Sequence, residues 1–218
     1  MGTGMHLVDG DAASGAVPPD GGTIESAQLD GSEHRVLVPS GMARTPKELG
    51  LNKEGGRLYW GDCEGMRVMR AWLDGMEVTK LVRIVNFLKD TCDASRHCVG
   101  IVLDKANGNV YWTQRGPPYA SEGRIFRRPL SCHQAQLPIS ARISNMCLAD
   151  LPEPVDLDLD QRTRHMLYRT DRGDDAYDGS TLKRARITAS GRVDRHVLAR
   201  ELEEGIGVSL DLRGAVHL

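Results

Sequence analysis

No stretch of the 218 residues stays apolar for the roughly 18 positions that a helical membrane span needs, so no such span is expected. Residues Met1–Gly10 carry neither the basic patch nor the apolar run of a secretory signal, and the expected location is the cytoplasm. Charge of one sign is lacking too. Charged residues make up 27% of the chain, yet the formal net charge is -2, so no strong field draws nucleic acid or an anionic membrane and neither is an expected partner. The five cysteines, Cys63, Cys92, Cys98, Cys132 and Cys147, are odd in number and fit neither a CxxC metal knuckle nor a dense disulfide framework, which leaves free thiols. There is no glycine-rich phosphate loop, HExxH or GxSxG motif, so nucleotide chemistry and hydrolysis by a serine nucleophile have no support.

Aromatic residues are only 5% of the chain, but most of the tyrosines and tryptophans fall into one recurring pattern. An apolar run closes on Asp or Asn, a short turn follows, and then Tyr-Trp or its equivalent. The first copy runs from Leu49 to Asn52 and then Leu58-Tyr59-Trp60-Gly61-Asp62. The second runs from Ile101 to Asp104 and then Val110-Tyr111-Trp112-Thr113-Gln114. The third runs from Val155 to Asp160 and then Leu167-Tyr168-Arg169-Thr170-Asp171, and a fourth begins at Ile206 and passes Asp211 to Val216. The anchors Asn52, Asp104, Asp160 and Asp211 lie 51–56 residues apart, a little over the roughly 40–50 of a propeller blade, and longer connecting loops account for the excess.

Hairpins surround these segments. Ile24–Gly31 followed by Val36–Val38, and Val68–Gly75 followed by Val78–Val82, each place Asp-Gly at the centre, the pair suited to a tight type I′ turn. Val155, Leu157 and Leu159 alternate with Asp156, Asp158 and Asp160 at the period of a strand, with the apolar side chains toward a neighbouring blade and the carboxylates away from it. The only helical expectation is a short loop helix over Asn86–Thr91. The predicted fold is therefore an all-β propeller of four-stranded antiparallel blades in a single domain, 1–218. Within it, 1–22 is an irregular remnant or loop and 23–43 the outer hairpin of one blade. Segments 44–95, 96–150 and 151–200 are successive blades, and 201–218 is the inner half of a further one.

The segments RLYWGD, NVYWTQRG and MLYRTDRG resemble the YWTD repeats of low-density lipoprotein receptor class B modules, a family of six-bladed propellers. TPKELGLN, EGMRVMRAWLDG, RHCVGIVLD, GRIFRR and LPEPVDLDLD are closer still to an intracellular fungal and bacterial branch of that family, and the likeness covers almost the whole chain. Some fungal members of that branch belong to secondary-metabolite gene clusters, a few being hetero-Diels-Alder enzymes that join a polyketide-derived quinone methide to an alkene. Two departures stand out: Arg169 replaces Trp, and Gln114 replaces Asp. The chain accounts for about four of the family's six blades. Open sheet edges would favour self-association.

The recurring residues Tyr59, Trp60, Asp62, Tyr111, Trp112, Tyr168 and Asp171 read as structural. The tyrosines and tryptophans supply buried packing area between blades, and the aspartates hold turns. A stacking platform for a ligand is the sharper alternative for the aromatics. The starts of the innermost strands differ between repeats and form the candidate axial site: Thr45, Pro46 and Lys47, then Arg96, His97 and Cys98, then Glu153 and Asp156, then Glu204. No catalytic residue is assigned. His97 and Cys98 adjoin on a strand and point to opposite faces, so a nucleophile-base pair is disfavoured. Glu153, Asp156 and Glu204 are candidate calcium ligands if a cation is bound at all, and no cofactor is otherwise expected. Asp174, Asp175 and Asp178 do not match an EF-hand loop and read as solvated. Arg124, Arg127 and Arg128, with Phe126 between, suggest either a phosphate strip or an outer strand in solvent.

The resemblance implies a small-molecule protein of microbial secondary metabolism acting on a polyketide- or terpene-derived substrate, with a cofactor-independent pericyclase as the activity it suggests. Such chemistry needs a shaped pocket and a few donors that polarise a carbonyl, for which Lys47, Arg96, His97 and Gln114 are the candidates. The alternatives are a non-catalytic protein-interaction module and a calcium-assisted propeller hydrolase.

Overall fold

The computed structural model describes residues 3–8, 20–84, 96–131, 146–163, 165–174, 176, 178–187, 194–211 and 213–218. The loop helix expected over 86–91, the thiols of Cys92 and Cys132, and Asp175 lie outside the described residues. The chain divides into two compact units, Met1–Thr91 and Cys92–Leu218.

The first unit holds two sheets. Strands β1 (Thr3–Val8), β2 (Gly22–Gln28) and β3 (Arg35–Ala43) pair in that order. Strands β4 (Pro46–Asn52), β5 (Arg57–Asp62), β6 (Arg67–Trp72) and β7 (Thr79–Arg83) form a four-stranded antiparallel meander. β1 corrects the expectation that 1–22 is irregular: Thr3 to Val8 pair with Gln28 to Thr23, using backbone groups on β2 that would otherwise be left open. Ile24, Val38 and Ala43 from one sheet pack with Leu58, Trp60, Met69 and Ala71 from the other as a single apolar layer.

The second unit repeats the meander twice. Strands β8 (Cys98–Asp104), β9 (Asn109–Gln114), β10 (Gly123–Pro129) and β11 (Met146–Leu151) make one sheet. Strands β12 (Pro154–Leu159), β13 (Met166–Asp171), β14 (Thr181–Arg186) and β15 (Asp194–Ala199) make the next, and β16 (Ser209–Leu210) pairs with β17 (Val216–His217). Tyr111, Ile125, Leu148 and Leu151 of one sheet pack against Leu157, Leu159, Leu167 and Ala185 of the other. β12 lies along β8 so closely that a Cβ on Gly100 would sit 2.5 Å from the Val155 carbonyl. The buried Thr113 hydroxyl bridges the two strands, accepting from Gly100 N at 2.8 Å and donating to Val155 O at 3.0 Å.

All three meanders share one register. Pro46 faces Asp62, Cys98 faces Gln114 and Pro154 faces Asp171. A bulge follows in each first strand, after which Leu49, Ile101 and Leu157 face Trp60, Trp112 and Arg169. The hairpin turns differ from expectation. Positive φ occurs at Gly31 (84°) and Gly75 (87°) but not at Asp30 or Asp74. The loops are three residues long, Leu29–Gly31 and Leu73–Gly75, closed by Gly31 N to Gln28 O and Gly75 N to Trp72 O, each at 2.9 Å. This is a type I turn followed by a left-handed glycine rather than a type I′ turn. The Asp30 and Asp74 carboxylates accept from Ser32 N and Met76 N, which suits a right-handed conformation at the aspartate.

Candidate functional site

The residue ahead of each bulged first strand occupies one backbone position repeated three times. The carbonyls of Thr45, His97 and Glu153 accept the N–H groups of Cys63, Arg115 and Arg172 at 2.9, 3.2 and 2.8 Å. Identical backbone geometry thus carries a hydroxyl, an imidazole and a carboxylate. The same register sets each candidate beside its counterparts in the other sheets. Lys47 corresponds to Val99 and Val155, Asp156 to Glu48 and Gly100, and Arg96 to Arg44. Of the eight candidates, Lys47 belongs to the first unit and the other seven to the second.

In the second unit the carboxylates are committed to protein partners. Glu153 is 5% exposed, with Oε2 3.4 Å from Arg115 Nε. Glu204 Oε1 accepts from Arg172 at 3.0 Å, with both side chains exposed. Arg115 and Arg172 directly follow the last residue of the Tyr-Trp motif, and the sequence reading passed over both. Their signal was their shared place after Gln114 and Asp171. Asp156 accepts from Leu157 N and from Val208 N at 2.8 Å each, while Asp158 accepts from Leu159 N at 2.7 Å and Leu210 N at 2.8 Å. These two side chains therefore fasten the 208–210 segment to β12. Burial pushes the Asp158 carboxyl above its usual range against the opposing effect of those amides.

The repeat residues have structural surroundings. Trp60 and Trp112 are 0% and 4% exposed and Tyr59 and Tyr111 are 3% and 2%, which leaves no face open for stacking a ligand. Burial raises both tyrosine hydroxyls. Trp112 stacks on Phe126 at 5.5 Å between ring centroids. Tyr168 is half-buried. Asp62, fully buried, accepts from Arg44 N at 3.0 Å and Thr45 N at 2.8 Å and pairs with Arg67. It thereby fixes the chain as it enters β4. Gln114 and Asp171 occupy the corresponding place in their own sheets, and both are buried.

Cys98 is fully buried while His97 is half-buried, as alternation along the strand requires. Arg96 is half-buried. Asp178 is tied to Lys183 at 2.7 Å and Arg200 at 3.0 Å, and Asp174 accepts from Ala176 N. Burial opposes ionisation of Asp178, but the hydrogen bonds and charges of Lys183 and Arg200 hold its carboxyl below the usual range. The Arg124–Arg128 stretch is not one solvated strip: Arg124 is exposed, whereas Arg128 is only 4% exposed. Arg127 and Arg128, adjacent on β10, face opposite sides of the sheet, so the three arginines do not form one solvated face.

No family model matches the chain. It is 43% identical over 210 residues to a Pyricularia oryzae protein named low-density lipoprotein receptor-related protein 1, covering 90% of this chain and 65% of that one. It is 32% identical over 205 residues to a 3-hydroxyacyl-CoA dehydrogenase-like protein of Cochliobolus heterostrophus, covering 88% of this chain and 42% of that one. The chain thus spans about two fifths to somewhat under two thirds of these curated relatives. Among solved structures, Pseudomonas aeruginosa periplasmic gluconolactonase matches 97% of this chain and 60% of its own, with TM-score 0.61 and 15% identity. At that identity the likeness speaks for the fold alone. Together with the repeated four-stranded meanders, it makes this an all-β protein of the β-propeller class with relatives among fungi.

Proposed function

We propose that this is a small-molecule-binding propeller of fungal secondary metabolism, acting as a cofactor-independent pericyclase on a polyketide-derived quinone methide and a terpene alkene. One observation carries the reading. The packing positions repeat, but the position ahead of each first strand changes from Thr45 to His97 to Glu153 on the same backbone hydrogen bond. Packing alone would favour repetition there, whereas ligand recognition favours variety. The relevant chemistry requires orientation and a polarised carbonyl oxygen, for which imidazole and guanidinium donors suffice. His97 and Arg115 are joined through the His97 carbonyl and are the donors we favour, beside Arg96 and Gln114 of the same unit.

The dehydrogenase in one relative's name has no counterpart in this chain, which has no glycine-rich dinucleotide motif. A calcium-assisted hydrolase is less favoured, because Glu153, Asp156 and Glu204 already satisfy arginines or backbone amides. The interaction-module reading has one observation in its favour: Leu29, Trp72 and Met76, at hairpin ends of the first unit, are 79%, 37% and 65% exposed.

The test is turnover of quinone methide precursors with a terpene alkene by the purified chain, followed through adduct stereochemistry with and without chelator. Stereoselective acceleration that His97→Ala and Arg115→Met reduce is expected. A racemic background rate from folded protein would turn attention to the interaction reading.

A further inference from the structure

In two sheets the cross-strand pair beneath the repeat is apolar, Trp60 with Met69 and Trp112 with Phe126. In the third it is Arg169 with Lys183. Both cations are buried, at 2% and 3% exposed, and face the neighbouring sheet of the same unit alongside Leu157 and Leu167. Among the described residues, the one buried carboxylate paired with them is Asp171, 0% exposed, 3.1 Å from Arg169 Nε and 3.2 Å from Lys183 Nζ. Asp178 also reaches Lys183, but its side chain is 53% exposed and shared with Arg200. The fully buried charges therefore sum to one excess positive charge, in surroundings where an uncompensated charge is costly.

The guanidinium is used on one edge only. Nε donates to Asp171, while Nη1, on the far edge, is buried and has no hydrogen-bond partner among the described residues. An unmet guanidinium donor in a packed interior points to a missing acceptor. The side chains here are also smaller. Arg with Lys occupies less volume than Trp with Phe or Met, by more than the roughly 30 Å³ that a water takes up in the liquid.

We infer that the space between these two sheets holds a small monovalent anion of the chloride class, bound by the free edge of Arg169 beside Lys183. The anion supplies the acceptor and cancels the excess charge, so the ionic pair fills the place that an aromatic pair fills in the other sheets. Nothing in this inference depends on the proposed activity.

Thermal unfolding of the full chain in sodium chloride and in sodium gluconate at matched ionic strength tests it. The midpoint is expected to be several degrees higher in chloride and to rise with its concentration, since a ligand that binds only the folded state stabilises it by mass action. The variant Arg169→Trp, Asp171→Gln, Lys183→Phe copies Trp112, Gln114 and Phe126 and should abolish the difference between salts. Equal midpoints in the two salts would mean that water is the acceptor, and a difference retained in the triple variant would mean surface salt effects; either overturns the proposal. Should that variant not fold, a bromide anomalous-scattering peak beside Arg169 Nη1 decides the matter, its presence supporting the site and its absence refuting it.

Discussion

Removing the Asp62 carboxylate should be among the most destabilising single changes in the first unit. The side chain is fully buried and accepts from two consecutive amides, Arg44 N and Thr45 N, while pairing with Arg67, whose other end reaches Asp20 at 2.7 Å. In Asp62→Ala, two amides at the entry to β4 lose their acceptor at about 1–3 kcal/mol for each unsatisfied group. A guanidinium at 13% exposure also loses its nearer partner. Arg67 keeps Asp20, so its loss is partial, and the total is on the order of 3–5 kcal/mol, the range for breaking one side of a buried pair. Asp62→Asn keeps one carbonyl oxygen for the amides and should cost roughly half as much. Urea unfolding of the two variants beside the parent gives the midpoint shift directly, with an unchanged slope showing that only stability moved. A cost below about 1 kcal/mol for Asp62→Ala would show that water replaces the carboxylate and that the entry to β4 needs no side-chain anchor.

Three further outcomes follow from particular contacts. Thr113→Val should cost about 1–3 kcal/mol in urea unfolding, because Gly100 N and Val155 O lose the hydroxyl between them, whereas Thr113→Ser should cost well under half of that. Gly75→Ala should lower the thermal midpoint by several degrees, since φ there is 87° and the new Cβ would run into Leu37 O. Asp158 has a raised folded-state pKa, so its contribution to stability is fully present below its unfolded pKa, near 4, and is lost as pH rises through the folded value. The parent should therefore lose stability relative to Asp158→Asn between pH 4 and pH 7, and a gap that stays constant or moves the other way would contradict this.

The architecture was legible because its signals are local and repeated. Tyr-Trp segments, the alternation of Val155 to Asp160 and the spacing of the anchors each require only neighbouring residues, and β4–β15 fall where those signals put strands. What escaped was set by register. A bulge follows Pro46, Cys98 and Pro154 alike, a kink that the alternation of apolar and polar residues does not show, although one of the three holds a glycine, Gly100. The turn type escaped for a related reason: Asp-Gly suits both a type I′ turn and a type I turn with a following left-handed glycine, and loop length decides between them. Arg115 and Arg172 were overlooked because a basic residue after a strand ordinarily means solvent. Only the backbone bonds to His97 and Glu153 place them at the candidate site.

Arg115 and Arg172 also bear on what the site is for. Each follows the Tyr-Trp motif of one segment and meets the glutamate that opens the next, Glu153 or Glu204. The exposed pair, Arg172 with Glu204, contributes little to stability in water, on the order of 0–1 kcal/mol. The other pair stands on a glutamate that is 5% exposed, where a carboxylate without a cation would be strongly disfavoured. On the proposed reading Glu153 positions the Arg115 guanidinium, while the Arg115 N–H donates to the His97 carbonyl. The imidazole and the guanidinium at this strand end are, on that reading, the donors that a polarised oxygen on a small molecule would meet.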